Sequence, residues 1–248
     1  MDRPGLVNVM SGLTLVAVAA CVAGDTVESV EGTESFQASV VTDADIPDDI
    51  FEDSWARLPL PPRENLEADG QRAYDVIVHP DSRYASGLRS PVAMWVYSPL
   101  MAEHIFPAST YLRYGTEKDQ RLTELVILTT AREVRSQYEW TSHEPLGNAA
   151  GLEPEIIEFV RRRADLDTGG EIPGLGDRER TIIAFVREVV SEERVTSATF
   201  GRALELFGER GVMDLTGLVG YYSFVDMTLK AFDVRLAPGR ERLLPPLW

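Results

Sequence analysis

Residues 119–134, DQRLTELVILTTAREV, and 143–160, HEPLGNAAGLEPEIIEFV, decide how this chain reads. The first stretch is of helix length and concentrates polar residues where a buried helix surface is expected. A second pair of stretches has the same plan: DRERTIIAFVREVV at 177–190 and FGRALELFGERGVMDLTGLV at 200–219. Each reads as acid plus arginine, apolar helix, gap, second helix, glycine turn, third helix. This predicts an all-α body with an internal duplication. Side by side, His143 of the first copy falls on Phe200 of the second, so the second copy would be degenerate, a scaffold without chemistry.

Working outward, helical periodicity extends over 65–78, 85–89, 99–114, 119–135, 137–150, 153–163, 177–192, 197–208 and 211–232, with few period-2 runs of β-branched residues. The last of these carries Leu215, Leu218, Val219 and Tyr222 at core spacing. Apolar residues around much of its circumference, Val212 and Phe224 included, suggest packing against a neighbouring copy. Upstream of the LPLPPR at 58–63 the composition changes. Residues 25–55 hold ten acids and no Lys or Arg, and taking those charges away moves the formal charge of the 248-residue chain from −16 to −6. We therefore expect an acidic, disordered linker over 25–56 and a folded domain over 57–248.

The apolar run LTLVAVAACVA at 13–23 is too short to span a bilayer but has the length of a signal-peptide core. Residues 1–24 thus read as an export signal, and the Val18-Ala19-Ala20-Cys21 that closes the run resembles a bacterial lipoprotein box with Cys21 as a lipid anchor. Cleavage near Ala23 or Gly24 stands beside that reading, as does an apolar tail on a cytoplasmic protein, since the only early base, Arg3, is offset by Asp2. Export would place the protein in the cell envelope or periplasm.

Forty acids against 24 bases, with no basic patch, exclude nucleic acid as a partner. One cysteine excludes an internal disulfide, a Cys-rich zinc site and two-cysteine thiol peroxidase chemistry. Lysine occurs only at Lys118 and Lys230, away from any reactive cluster.

Polar residues concentrate at Glu124–Arg132 and Ser136–His143. Ser136, Glu139 and His143, at i, i+3 and i+7, share one helix face, and Glu124 lies on the preceding helix. A histidine four residues after a carboxylate can be raised in pKa and oriented for proton transfer, which makes His143, Glu139 and Glu124 the candidate catalytic group. Ser136 and Glu139 also fit a capping box, whose free amides could receive an anion. Arg132 is read as a substrate clamp or a surface ion-pair residue, and Tyr138 and Trp140 as flanking contacts or packing. Glu124, Glu139 and His143 could offer metal ligands, but one histidine with two carboxylates is a thin set. His79 and His104 have no polar companions at helical spacing.

Glu124, the ILTTAR helix at 127–132, YEWTSH at 138–143 and Ala149-Ala150-Gly151-Leu152 together resemble the carboxymuconolactone decarboxylase family, which shares an all-helical fold with alkylhydroperoxidase D (AhpD). The resemblance covers 98–159 well and the remainder to about 234 more loosely. In the peroxidase branch a Glu is followed by Cys-x-x-Cys-x-x-x-His. Here Glu124 and His143 match, while Ser136 and Glu139 stand at the two cysteine positions. The resemblance therefore implies the cysteine-free, decarboxylase-like branch: an AhpD-like helical bundle, no metal or organic cofactor, a small carboxylate substrate and a homo-oligomer, trimer or hexamer. A non-catalytic binding protein on the same fold is the alternative.

Overall fold

Asp119 caps the central helix of the molecule by accepting a hydrogen bond from the Leu122 amide at 2.8 Å. In this computed structural model, which describes residues 36–245 except 90, 168 and 169, that helix is α4, Gln120–Glu133, and every residue from Leu122 to Ala131 is buried. A helix buried all round needs partners on all sides. It packs on α5 (Gln137–Ala149), α6 (Pro154–Arg161), α7 (Asp177–Ser191) and α8 (Ser197–Ala231). Its polar threonines are satisfied within the helix: Thr123, Thr129 and Thr130 donate to the carbonyls of Asp119, Leu125 and Val126 at 2.9, 2.7 and 2.8 Å. These threonines, conspicuous in the sequence, are helix furniture and leave Glu124 as the helix's inward charge.

The fold is all-α apart from one two-stranded sheet. α1 (Ala68–Ile77) packs on α3 (Pro99–Thr110), with the short α2 (Val92–Trp95) between them in sequence. The four buried residues of α2 are too few to show a period, so the sequence gives no sign of it. Trp95 fixes it to α8, donating from Nε1 to the Thr228 hydroxyl at 3.0 Å and lying 5.4 Å from the Phe224 ring. The expected helix at 85–89 is instead turns and irregular chain. The expected helices 197–208 and 211–232 are one element, α8, broken at Gly208 (φ 67°, ψ 175°). Gly151, which the proposed repeat pairs with Gly208, is also left-handed at φ 83°.

Val212, Leu215, Leu218 and Val219 of α8 are spent in the protomer's own core, and Phe224 packs against it. Among that helix's apolar residues Phe200, Leu204, Met213 and Met227 are exposed, the two methionines most of all, four turns apart on one side. Leu125 is wholly buried at the centre. Leu125→Ala should lower the unfolding free energy by about 2–5 kcal/mol in urea titrations, and a loss below about 1 kcal/mol would show that α4 is not the centre of the core.

The linker expectation needs correction. From Phe36 the acidic stretch is part of the folded body: β1 (Ser39–Val40) pairs antiparallel with β2 (Glu241–Arg242), and Val41 and Ala56 are buried. Its charge is met from the far end of the chain, where Arg242 pairs with Asp45 at 3.2 Å and Arg235 donates to the Asp45 carbonyl. Local composition counted the acids and could not see basic residues some two hundred positions away. The expected export signal, Cys21 and residues 25–35 of the linker lie outside the described residues. Among the described residues no helix is long and apolar enough to cross a membrane.

Candidate active site

α5 begins at Ser136, which has extended backbone (φ −87°, ψ 97°) at the cap position but makes no side-chain cap bond. The capping box is not formed, and Glu139 turns instead toward His143 on the next turn. Further along, Gly147 lets α5 lie close on α4: a Cβ there would stand 3.3 Å from the Leu128 methyl and 3.7 Å from the Glu124 Cβ. That close approach brings His143 to Glu124.

His143 Nδ1 lies 2.6 Å from Glu124 Oε2, and Nε2 lies 3.4 Å from Glu139 Oε2. An ionised carboxylate only accepts, so Nδ1 carries a proton and donates it to Glu124. The other Glu124 oxygen accepts from Arg113 Nη2 at 2.9 Å. Arg113 comes from a π-turn, Tyr111–Gly115, that continues α3. Gly115 is needed there because a Cβ would fall 2.9 Å from the Tyr111 ring. The Tyr222 ring meets the imidazole edge to face, centroids 5.1 Å apart.

All four charged groups of this chain of contacts are buried. Burial alone would lower the His143 pKa, but its hydrogen bonds to Glu124 and Glu139 and their charges outweigh that and raise it. Burial alone would raise Glu124, yet His143 and Arg113 hold it below the ordinary carboxylate value. Burial raises Tyr222 well above a normal phenol, and raises Tyr221 to about 12, so both are neutral donors at pH 7. Both ring nitrogens of His143 face carboxylates and Glu124 spends its second oxygen on Arg113. The three candidate ligands thus neutralise one another instead of turning lone pairs to one point. Among the described residues no trio of His, Cys, Asp or Glu has the arrangement of a metal site.

A cavity of about 250 Å3 opens onto this group. Glu139, Ser142, His143 and Leu146, one face of α5, form a wall, with Tyr221 and Tyr222 of α8 beside them. Arg83 and Arg89 line it as well; they stack on Tyr84 with guanidinium carbons 5.1 and 4.7 Å from the ring centroid. Neither arginine is in ion-pair contact with a carboxylate among the described residues, so both bring positive charge to the cavity.

The structure brings Glu139, His143 and Tyr138 to this cavity, with Glu124 behind His143, and does not bring the other expected residues. Arg132 points elsewhere, donating from Nε to the Arg161 carbonyl at 2.7 Å. Trp140 is fully buried and does not line the cavity, donating to Glu144 at 2.6 Å under the Arg161 guanidinium. Ser136 is buried and lines no part of the cavity. Ser136 stands at the cap position with extended backbone, outside the helical spiral, so the i, i+3, i+7 spacing does not carry its side chain to Glu139 and His143. His104 is exposed, and His79 is exposed beside Asp81. Of the residues sequence reasoning missed, only Ser142, three after Glu139, carried a signal; Arg83, Arg89, Arg113, Tyr221 and Tyr222 come from distant segments.

No protein-family model matches the chain, and no curated protein does. Among solved structures the chain is similar to the crystal structure of an alkylhydroperoxidase AhpD core, an uncharacterized peroxidase-related protein from Ralstonia eutropha JMP134. The identity is 16%, the TM-score 0.56, and the match covers 73% of this chain and 91% of that one. At that identity the likeness bears on architecture alone: the protein has the AhpD-like helical fold.

Proposed function

We propose that the protein is a cofactor-independent enzyme of the carboxymuconolactone decarboxylase type, in which His143 transfers a proton to a small carboxylated lactone or keto acid. The observation that carries this reading is the buried imidazole held between two carboxylates at the wall of a cavity lined by two arginines. Arg83 and Arg89 supply the charge to hold a substrate carboxylate that does not react. Breaking the bond to the reacting carboxylate releases CO2 and leaves the electron pair as an enolate, whose oxygen can accept from the neutral phenol of Tyr222. The proton then passes from His143 Nε2 to carbon, and solvent restores it. Glu124, fixed by Arg113, keeps the ring oriented and charged. The AhpD-core neighbour is described as peroxidase-related, but here Ser136 and Glu139 stand where the thiols would be and Cys21 is the sole cysteine, so we assign no thiol peroxidase activity.

The test is CO2 release and product analysis over a panel of carboxylated lactones and keto acids, with a Glu139→Gln variant alongside. The substitution keeps the shape and removes a charge that helps to raise the His143 pKa. Activity should fall, and the alkaline limb of the pH profile, where His143 loses its proton, should move to lower pH. An unchanged limb would separate Glu139 from the chemistry.

A further inference from the structure

A second cavity, of about 130 Å3, lies away from His143, between the loop that precedes α4, the first turn of α7 and the part of α8 that follows Gly208. Its polar lining is Lys118, Arg178, Arg210, Asp214 and Glu117. Lys118 is 8% exposed, and its Nζ is fully enclosed without a hydrogen-bond partner among the described residues. An ammonium carries three donors, and burying one with none satisfied is costly enough to require a reason.

The cavity's own carboxylates give Lys118 no hydrogen bond, although the Asp214 charge offsets part of the effect of burial. Asp214 is buried, but its two oxygens accept from the Tyr111 hydroxyl at 3.1 and 3.4 Å, and that hydroxyl accepts from Arg210 Nη2 at 3.1 Å. Glu117 is exposed at the rim. Arg178 is exposed too, stacked on Phe207 with its guanidinium carbon 5.4 Å from the ring centroid. Lys118, Arg178 and Arg210 are none of them in ion-pair contact among the described residues, although the chain carries 40 acids for 24 bases. Three cations thus converge on two carboxylates, which leaves an excess of positive charge. Water could accept from Lys118 but would leave the excess charge unopposed.

We propose that this cavity is a binding site for a small oxyanion of phosphate size, with the Lys118 ammonium as its floor and Arg178 and Arg210 as its rim. Burial lowers the Lys118 pKa, so a bound anion should raise it again. The site is separate from the activity proposed above, and the test reads it without any substrate.

Because Lys118 and Lys230 are the only lysines, the protein labelled with 13C at lysine Cε should show two signals, and Lys230→Arg leaves that of Lys118 alone. Inorganic phosphate, titrated against chloride at constant ionic strength, should shift the Lys118 signal saturably, raise its titration midpoint and leave Lys230 in place. Arg178→Ala with Arg210→Ala should weaken that response about tenfold or more, since each removes a charge-assisted contact. Acetate in a parallel titration distinguishes the anion: a saturable response to acetate alone assigns the site to a carboxylate and overturns phosphate. A Lys118 signal that moves identically with phosphate and chloride overturns the site altogether.

Discussion

His143→Ala should reduce turnover on the order of 10²- to 10⁴-fold on any substrate the parent converts, the range in which a positioned proton donor contributes. The geometry makes this more than a generic expectation. The imidazole is the one group at the cavity wall whose ring nitrogens are both turned to carboxylates, at 2.6 and 3.4 Å, and its pKa is raised, which suits a general acid near neutrality. Alanine also removes the positive charge between two buried carboxylates, so a lower melting temperature should accompany the lost activity. His143→Gln separates the two effects: its amide can still donate to Glu124 but cannot transfer a proton, so stability should largely return and activity should not. His104→Ala, on an exposed side chain of α3, should leave both unchanged. If His143→Gln turns substrate over at the parent rate, the proton comes from elsewhere, and the cavity is a binding pocket or uses another donor.

The difference between what could be read in the sequence and what could not is one of range. The approximate extents of α4 and α7 and the placing of Glu139 and His143 on one face follow from spacings within a helix, and those the chain states openly. Glu124 joined them because the next helix packs directly on its own. Arg113 could not be found this way, since nothing local marks an arginine in a π-turn as the partner of a glutamate eleven residues on. Nor could Arg83 and Arg89, which lie in irregular chain that periodicity misread as a helix at 85–89. Arg132, which reads as a clamp or a surface ion-pair residue, is turned by the helix toward Arg161. The acidic 36–56 segment failed for the same reason as Arg113: its partners are the arginines near the other end of the chain.

Glu124→Gln should be the most damaging change to stability at this site, by about 3–5 kcal/mol, because it leaves the buried Arg113 guanidinium without its counter-charge. Arg113→Met should cost a similar amount for the mirror reason. The double variant should lose less than the two single losses together, since it removes both buried charges, and the cycle reports the coupling directly. The effect also has a pH signature. The Glu124 pKa is held below its ordinary value of about 4.5, so its contribution is complete above that pH and fades as pH falls through the folded value. His143 is raised above its ordinary value of about 6.5, so its contribution is complete below that pH and fades as pH rises through the raised folded value. The two are therefore fully expressed together between about pH 4.5 and 6.5. Urea unfolding across pH 3–9 should show the gap between parent and Glu124→Gln widest in that interval and narrowing on both sides. A gap of constant size would mean that the contact between Glu124 and His143 does not couple their protonation, and the role of Glu124 in keeping the imidazole charged would fall with it.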